Sequence, residues 1–286
     1  MGDHILKVGF IGAGKVGCSL GDYFRHNGIP VVGYISRTQA KAGGAALEQR
    51  RYIDTIDKLL TICDVLFLTV PDDAISAVWE QVKHFPIEGK FICHCSGSLS
   101  SAVLSGIWET GAYGYSIHPM FPFKSKETAY DDLKKALFTV EGDEEHREEI
   151  EELLRSCHNP VVGIRMEDKA AYHAAAVFAS NLMVGLMRES VKLLEQCGFD
   201  REEALAALKP LAESNLSNIF EVGPEAALTG PVERHDIQTV KKHLGVLNGK
   251  EKDTYIALTE EILEIAQDRH PEISYADMKQ VLEEEK

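Results

Sequence analysis

The sequence lacks any uninterrupted apolar run of the ~18–20 residues needed to cross a bilayer. Its first residues, Met1-Gly2-Asp3-His4, carry neither the basic start nor the small-residue cleavage site of an export signal. Leu6 stands where a myristoylation signal requires Ser or Thr. Cysteine is sparse, six in 286 residues, too few for a secreted disulfide framework. Together these absences predict a cytoplasmic protein with reduced thiols and no membrane partner. Positive charge is also short. Lys and Arg number 30 against 45 Asp and Glu, a net charge of −15, and so acidic a surface repels phosphate backbones and excludes general nucleic-acid binding. Gly (23) and Pro (10) are too few for collagen-like or disordered structure. There is no repeat, low-complexity linker or heptad. A prior of roughly 150 residues per domain leaves room for two domains.

What is present divides the chain in two. Up to Arg165, short β-rich runs (Ile5–Ile11, Pro30–Ser36, Asp64–Val70, Lys90–Cys95, Tyr113–Ile117, Ala136–Glu141, Pro160–Arg165) alternate with helical stretches. The expected helices are Lys15–His26, Gln39–Gln49, Asp73–Lys83, Ser100–Trp108 and Glu144–Cys157. Alternation of this kind predicts an α/β fold with a doubly wound, mostly parallel sheet. The near-continuous apolar strands suit a sheet covered on both faces. Past Glu167 the β signal stops. One long helix is expected over Asp168–Gln196, then helices near Arg201–Phe220, Ile237–Leu247, Asp253–Asp268 and Tyr275–Glu285. The expected domains are 1–166 and an all-α 167–286. The acidic run Glu141–Glu152 reads as a solvated helix face.

The stretch Gly12-Ala13-Gly14-Lys15-Val16-Gly17 is G-x-G-x-x-G directly after a strand and at the start of a helix. Each glycine answers a different physical need. Gly12 permits the tight turn, Gly14 the close approach of a pyrophosphate, and Gly17 the close packing of helix on strand. The helix N-terminus then offers unpaired N–H groups to the phosphates. A NAD site places an acid about 20 residues further on. Here the end of the second strand reads Ser36-Arg37-Thr38, with no carboxylate. Arg forks onto a 2′-phosphate that an acid would repel, so the expected cofactor is NADP(H). Val70 and Pro71 close another strand and would line the cofactor, while Asp73 reads as a helix N-cap. Ser96 and His118 follow further strands at the same edge. Ser96 reads either as a carboxamide or substrate ligand or as a turn serine, and His118 either as a proton donor or as a turn histidine. Cys93-His94-Cys95 has no second ligand pair and reads as plain strand, so no metal is expected.

These motifs, with His94–Gly97 and His118-Pro119, resemble the nicotinamide domain of pyrroline-5-carboxylate reductases, F420-dependent NADP oxidoreductases and 3-hydroxyacid dehydrogenases. Residues 172–181 (Tyr-His-Ala-Ala-Ala-Val-Phe-Ala-Ser-Asn) and 228–236 (Leu-Thr-Gly-Pro-Val-Glu-Arg-His-Asp) are similar to the helical domain of unknown function 2520 of bacterial NADP-oxidoreductase-like proteins. The resemblance implies a C-terminal domain of the 6-phosphogluconate-dehydrogenase type and a homodimer. The 3-hydroxyacid dehydrogenases pair a Lys with an Asn one turn later; here Lys169 is followed at that spacing by His173. At about 100° per residue, Lys169, His173 and Ser180 share one helical stripe, with Asn181 at its edge. Lys169, His173, Asn181 and His118 are therefore the candidate catalytic residues. Relatives often have Gly where His235 stands, so an ordinary backbone is expected there. Arg234 would hold a substrate carboxylate or join a rim salt bridge. The function read here is hydride transfer to or from a small oxoacid-like carbonyl. An imine reductase of the pyrroline-carboxylate type and a non-catalytic NADP sensor are the alternatives.

Overall fold

A computed structural model of the chain describes residues 5–36, 50–126, 128 and 130–286. Arg37, Thr38 and the helix expected over Gln39–Gln49 lie outside them. The chain forms two compact units, Met1–Ala179 and Ser180–Lys286.

In the first unit the strands are β1 (Val8–Ile11), β2 (Val31–Ile35), β3 (Val65–Leu68), β4 (Phe91–His94), β5 (Tyr113–Met120), β6 (Leu137–Gly142) and β7 (Val161–Gly163). They build one sheet in the order β2-β1-β3-β4-β5-β6-β7. All neighbours are parallel except β5 and β6. The helices are α1 (Lys15–His26), α2 (Ile56–Ile62), α3 (Asp72–Val82), α4 (Tyr130–Leu133), α5 (Arg147–Arg155) and α6 (Lys169–Ala179). Alternate strand residues feed two separate cores. Phe10 and Phe67 pack with Phe24 and Tyr34 on one face; Ile11, Leu66 and Leu68 pack with Trp79 on the other. Burial on both faces explains why these strands are apolar throughout.

Several expectations need correction. The helix expected over Ser100–Trp108 is two isolated 3₁₀ turns, Ser101–Val103 and Ile107–Thr110; the second is bracketed by the left-handed Gly106 and Gly111. Asp73 does not cap α3, which starts at Asp72 after Pro71 without a side-chain cap. His118 lies inside β5, paired with Thr139 of β6, rather than after the strand. Glu141 does not belong to a solvated face. It is a buried residue of β6 whose carboxylate accepts the Ser101 N–H and hydroxyl, both at 2.7 Å.

The helix expected over Asp168–Gln196 is two helices. Ser180 leaves helical geometry (φ −131°, ψ −75°), so α6 ends at Ala179 and α7 (Asn181–Gln196) begins the second unit. Ser180 and Asn181 are therefore not on the helix that carries Lys169 and His173, and the shared stripe is interrupted. Met166–Gln196 as a whole is long and apolar enough to cross a membrane by length and composition, but this break divides it.

The second unit continues with α8 (Arg201–Val222), α9 (Pro224–Ala227), α10 (Ile237–Val246), α11 (Lys250–Arg269) and α12 (Ala276–Glu284). Its core is built by α10–α12, with Val240, Leu263, Tyr275 and Met278. A full capping box opens α8: Asp200 accepts from the Glu203 N–H, and Glu203 accepts from the Asp200 N–H. The loop before α10 is held tightly. Arg269 donates to the Leu228 carbonyl at 2.8 Å, His270 pairs with Glu233, and Asp236 caps α10 through the Thr239 N–H. His235 has φ +55°, contrary to the ordinary backbone expected. Its ring bonds Asp277 at 2.9 Å and packs edge-on against Tyr275, contacts that hold the left-handed backbone usual for glycine.

Candidate functional site

Parallel pairing brings the carboxyl ends of β1, β2, β3 and β4 to one edge of the sheet, and with them every sequence-predicted cofactor residue that is described. The strand order reverses between β1 and β3, where open α/β sheets bind ligands. The first strand-to-helix turn is shaped by its glycines. Gly12 has φ +113°, and a Cβ there would stand 2.4 Å from the Thr69 carbonyl. A Cβ on Gly17 would stand 2.2 Å from the Gly12 carbonyl. Gly14 differs: its nearest neighbour to such a Cβ is the Thr69 carbonyl at 4.0 Å, so packing within the chain does not require glycine. That side of the turn is open to a group approaching from outside. The first turn of α1 contains Lys15, Val16 and Gly17 and no acid, which leaves its positive end uncompensated. This cradle fits a dinucleotide pyrophosphate. Val70 is half-buried, and Ala13 is buried beneath the turn. Ser36 lies at the end of β2, half-buried.

A polar cluster follows along the same edge. His94 is fully buried in β4; its Nδ1 accepts the Ser96 N–H and its Nε2 faces the Ser100 carbonyl at 3.1 Å. Burial pushes its pKa down to about 4, so it is neutral. The Ser96 hydroxyl donates to Asp72 at 2.7 Å and accepts the N–H groups of Ser98 and Leu99. These bonds close the turn after β4. Lys169 opens α6 only 2% exposed, and its ammonium donates to the Ser96 carbonyl (3.1 Å) and the Ser116 hydroxyl (2.8 Å). Two of its three protons thus tie α6 to β4 and β5. Burial lowers the Lys169 pKa, opposed by the charges of Glu141 and Asp72.

One turn along α6 come Tyr172 and His173. The Tyr172 hydroxyl lies 2.7 Å from His118 Nδ1. The His118 and His173 rings are edge-on with centroids 6.3 Å apart. Gly97 sits between them: a Cβ there would be 2.6 Å from His173 Nδ1 and 3.0 Å from His118 Nε2. His173 Nδ1 is buried and has no hydrogen-bond partner among the described residues. Burial, with Lys169 and His173 nearby, pushes the His118 pKa down to about 4. The site therefore offers the His118 ring and a buried, unpartnered His173 nitrogen beside a glycine, on the sheet edge that carries the glycine turn.

Asn181 belongs to the second unit, not to the helix that carries Lys169 and His173. It is exposed at the start of the second unit, where its Oδ1 accepts from the Ser180 hydroxyl at 3.0 Å. Arg234 is exposed, and no ion pair within 4 Å involves it among the described residues; Glu233 is taken by Arg269 and His270 instead. Sequence reasoning missed Tyr172, Asp72, Ser116 and Gly97. Tyr172 had a signal, since the i, i+3 spacing from Lys169 puts it on the same face.

A family profile described as a Rossmann-like domain matches residues 2–119, and one described as domain of unknown function 2520 matches residues 136–262. The chain thus carries a Rossmann-like domain followed by a 2520 domain. Among solved structures it is similar to protein TM1727 from Thermotoga maritima, at 26% identity and TM-score 0.73, over 92% of this chain and 99% of that one. It also resembles the presumptive NADP oxidoreductase BF3122 from Bacteroides fragilis (22%, TM-score 0.69, 91% and 98%). The Plasmodium falciparum pyrroline carboxylate reductase, solved with NADP bound, shares the fold at 14% identity (TM-score 0.60, 92% and 96%). No curated protein sequence matches the chain.

Proposed function

We propose that this chain, with its Rossmann-like and 2520 domains, is an NADP(H)-dependent oxidoreductase acting on a small, oxoacid-like carbonyl compound. The observation that carries the reading is the adjacency of two features on one sheet edge: a glycine turn open at Gly14 ahead of a helix start without acids, and the His118 and His173 rings around Gly97, where the buried His173 Nδ1 has no partner among the described residues. The glycine turn and the start of α1 would hold the pyrophosphate. Ser36, Arg37 and Thr38 would bind the 2′-phosphate, because no acid stands there to repel it. A reduced nicotinamide supplies hydride when bound. Lys169 holds the Ser96 carbonyl and the Ser116 hydroxyl in place, and His118 and His173 face the reacting heteroatom. Several solved structures of the same fold are named as acting on imines, among them an imine reductase from Myxococcus stipitatus in complex with NADP+; an imine is therefore the second substrate class to test.

We also propose a homodimer. Leu182, Val184 and Leu186 of α7 and Leu205, Leu211, Phe220 and Val222 of α8 are exposed, and each of the two helices buries only one residue. Helices this apolar need a covering surface, and a second copy supplies one.

The test is a fluorescence titration of the purified protein with NADPH and with NADH, then a screen of 2-oxoacids, 3-oxoacids and cyclic imines for NADPH consumption. Saturable binding that favours NADPH, weakened selectively by Arg37→Ala, is expected. Preference for NADH overturns the phosphate assignment. Binding of neither overturns the oxidoreductase reading.

A further inference from the structure

We propose that Tyr172 is a positioning residue that locks His118 as the tautomer protonated on Nε2, and that this Nε2–H is the proton given to the substrate heteroatom. The inference rests on the oxidoreductase reading and names its acid.

The Tyr172 hydroxyl lies 2.7 Å from His118 Nδ1, within hydrogen-bond distance. Burial raises the Tyr172 pKa, so the phenol keeps its proton near neutral pH. A phenol O–H is a good donor and an unprotonated imidazole nitrogen a good acceptor. The Thr139 hydroxyl lies against Tyr172 and pulls its pKa slightly back, without a well-formed hydrogen bond of its own. With Nδ1 accepting, the single proton of a neutral imidazole must be on Nε2. His118 is neutral at any physiological pH. The groups that face it are Lys169 and His173 from α6, Asp72 from the start of α3, and Tyr172; burial and the two nearby basic groups outweigh Asp72. Nε2 lies beside Gly97: a Cβ there would stand 3.0 Å from it, and glycine leaves that side of the ring uncrowded. A neutral imidazole donor of this kind polarises a carbonyl without itself titrating near pH 7.

Lys169 is less suited to giving that proton. Its ammonium is committed to the Ser96 carbonyl and the Ser116 hydroxyl, and moving it would loosen α6 from the sheet.

The step balances. As hydride forms the new C–H bond, the C=O π pair moves to oxygen, which takes the Nε2 proton. The Tyr172 proton shifts to Nδ1, so His118 ends neutral and the negative charge rests on the phenolate. A phenol is a far stronger acid than the alcohol formed, so the relay runs downhill. Solvent then returns a proton to Tyr172. Oxidation of the alcohol runs the same path in reverse.

The test uses full-length protein with ¹⁵N-labelled histidine, without cofactor, and His118→Gln only to assign the His118 signals. Long-range ¹⁵N–¹H spectra should show His118 as one Nε2–H tautomer, unchanged from pH 5.5 to 8.5. In Tyr172→Phe, checked for native circular dichroism, the two neutral tautomers should mix. On the substrate found by screening, wild-type kcat should be flat across that range. Tyr172→Phe should lose about 10²-fold, the scale of a misplaced general acid. A wild-type His118 protonated on Nδ1, or a tautomer indifferent to Tyr172→Phe, overturns the inference even if NADPH is consumed. If the tautomer is as expected but neither nicotinamide cofactor binds, the oxidoreductase reading fails and the proton-donor role fails with it.

Discussion

His94 gives the structure a measurable acid sensitivity. Its side chain is fully buried, and its two ring nitrogens hold the turn that carries Ser96 and Gly97. Burial holds its pKa at about 4, against about 6.5 in an unfolded chain. Between those values the unfolded chain binds more protons than the folded one, so stability rises with pH across the window. The contribution is fully present above pH 6.5 and is lost as pH falls towards 4. Worked through the linkage relation, the loss is about 2 kcal/mol at pH 5 and about 3 kcal/mol at pH 4. Both tryptophans, Trp79 and Trp108, lie in the first unit, so their fluorescence in urea reports the unit that contains His94. The comparison is His94→Asn, which keeps an acceptor for the Ser96 N–H and removes the titration. At pH 7 the variant should be less stable by about 1 kcal/mol, the cost of the lost bond to Ser100. The gap should close and then reverse on acidification, because wild type loses about 2 kcal/mol more than the variant between pH 7 and pH 5. Parallel stability curves for the two proteins would refute the argument that burial of His94 costs it a proton.

The glycine turn makes a paired prediction. Gly14→Val places its side chain in open space, should cost no more than about 1 kcal/mol of stability, and should abolish NADPH binding by fluorescence titration. Gly17→Val drives a side chain onto the Gly12 carbonyl and should cost about 3 kcal/mol by urea unfolding. Equal effects on folding from the two would contradict the assignment of Gly14 to the ligand. For the second unit, light scattering should give twice the 31.7 kDa chain mass, and Leu211→Glu with Phe220→Glu should return it to one chain. A wild-type monomer at micromolar concentration would leave the exposed α7 and α8 faces without the expected partner.

The elements read most clearly from sequence were those whose local pattern and tertiary role agree. The apolar runs at Val8–Ile11, Val65–Leu68 and Phe91–His94 are strands because both faces are covered, and α1 runs from Lys15 to His26 as its pattern says. The glycine turn was legible because each glycine answers a local steric demand. What escaped was non-local. Glu141 reads as the first acid of an acidic run, and only the β5–β6 ladder puts it opposite Ser116 and within reach of Ser101. The break at Ser180 follows no proline or glycine, and nothing in the helical periodicity of residues 168–196 marks it. Gly97 looks like a turn glycine in sequence; its size matters because two histidines, 21 and 76 positions away, close on it in the fold. The same holds for Lys169. Its position one helical turn before His173 suggested a shared stripe of reacting groups, and the fold shows an ammonium whose hydrogen bonds fix the strand ends instead. A lysine and a histidine at i, i+4 can face the same side of a helix and still differ in what they meet: here the ammonium bonds a loop carbonyl and a strand hydroxyl, while a ring nitrogen of the histidine is left buried without a partner among the described residues.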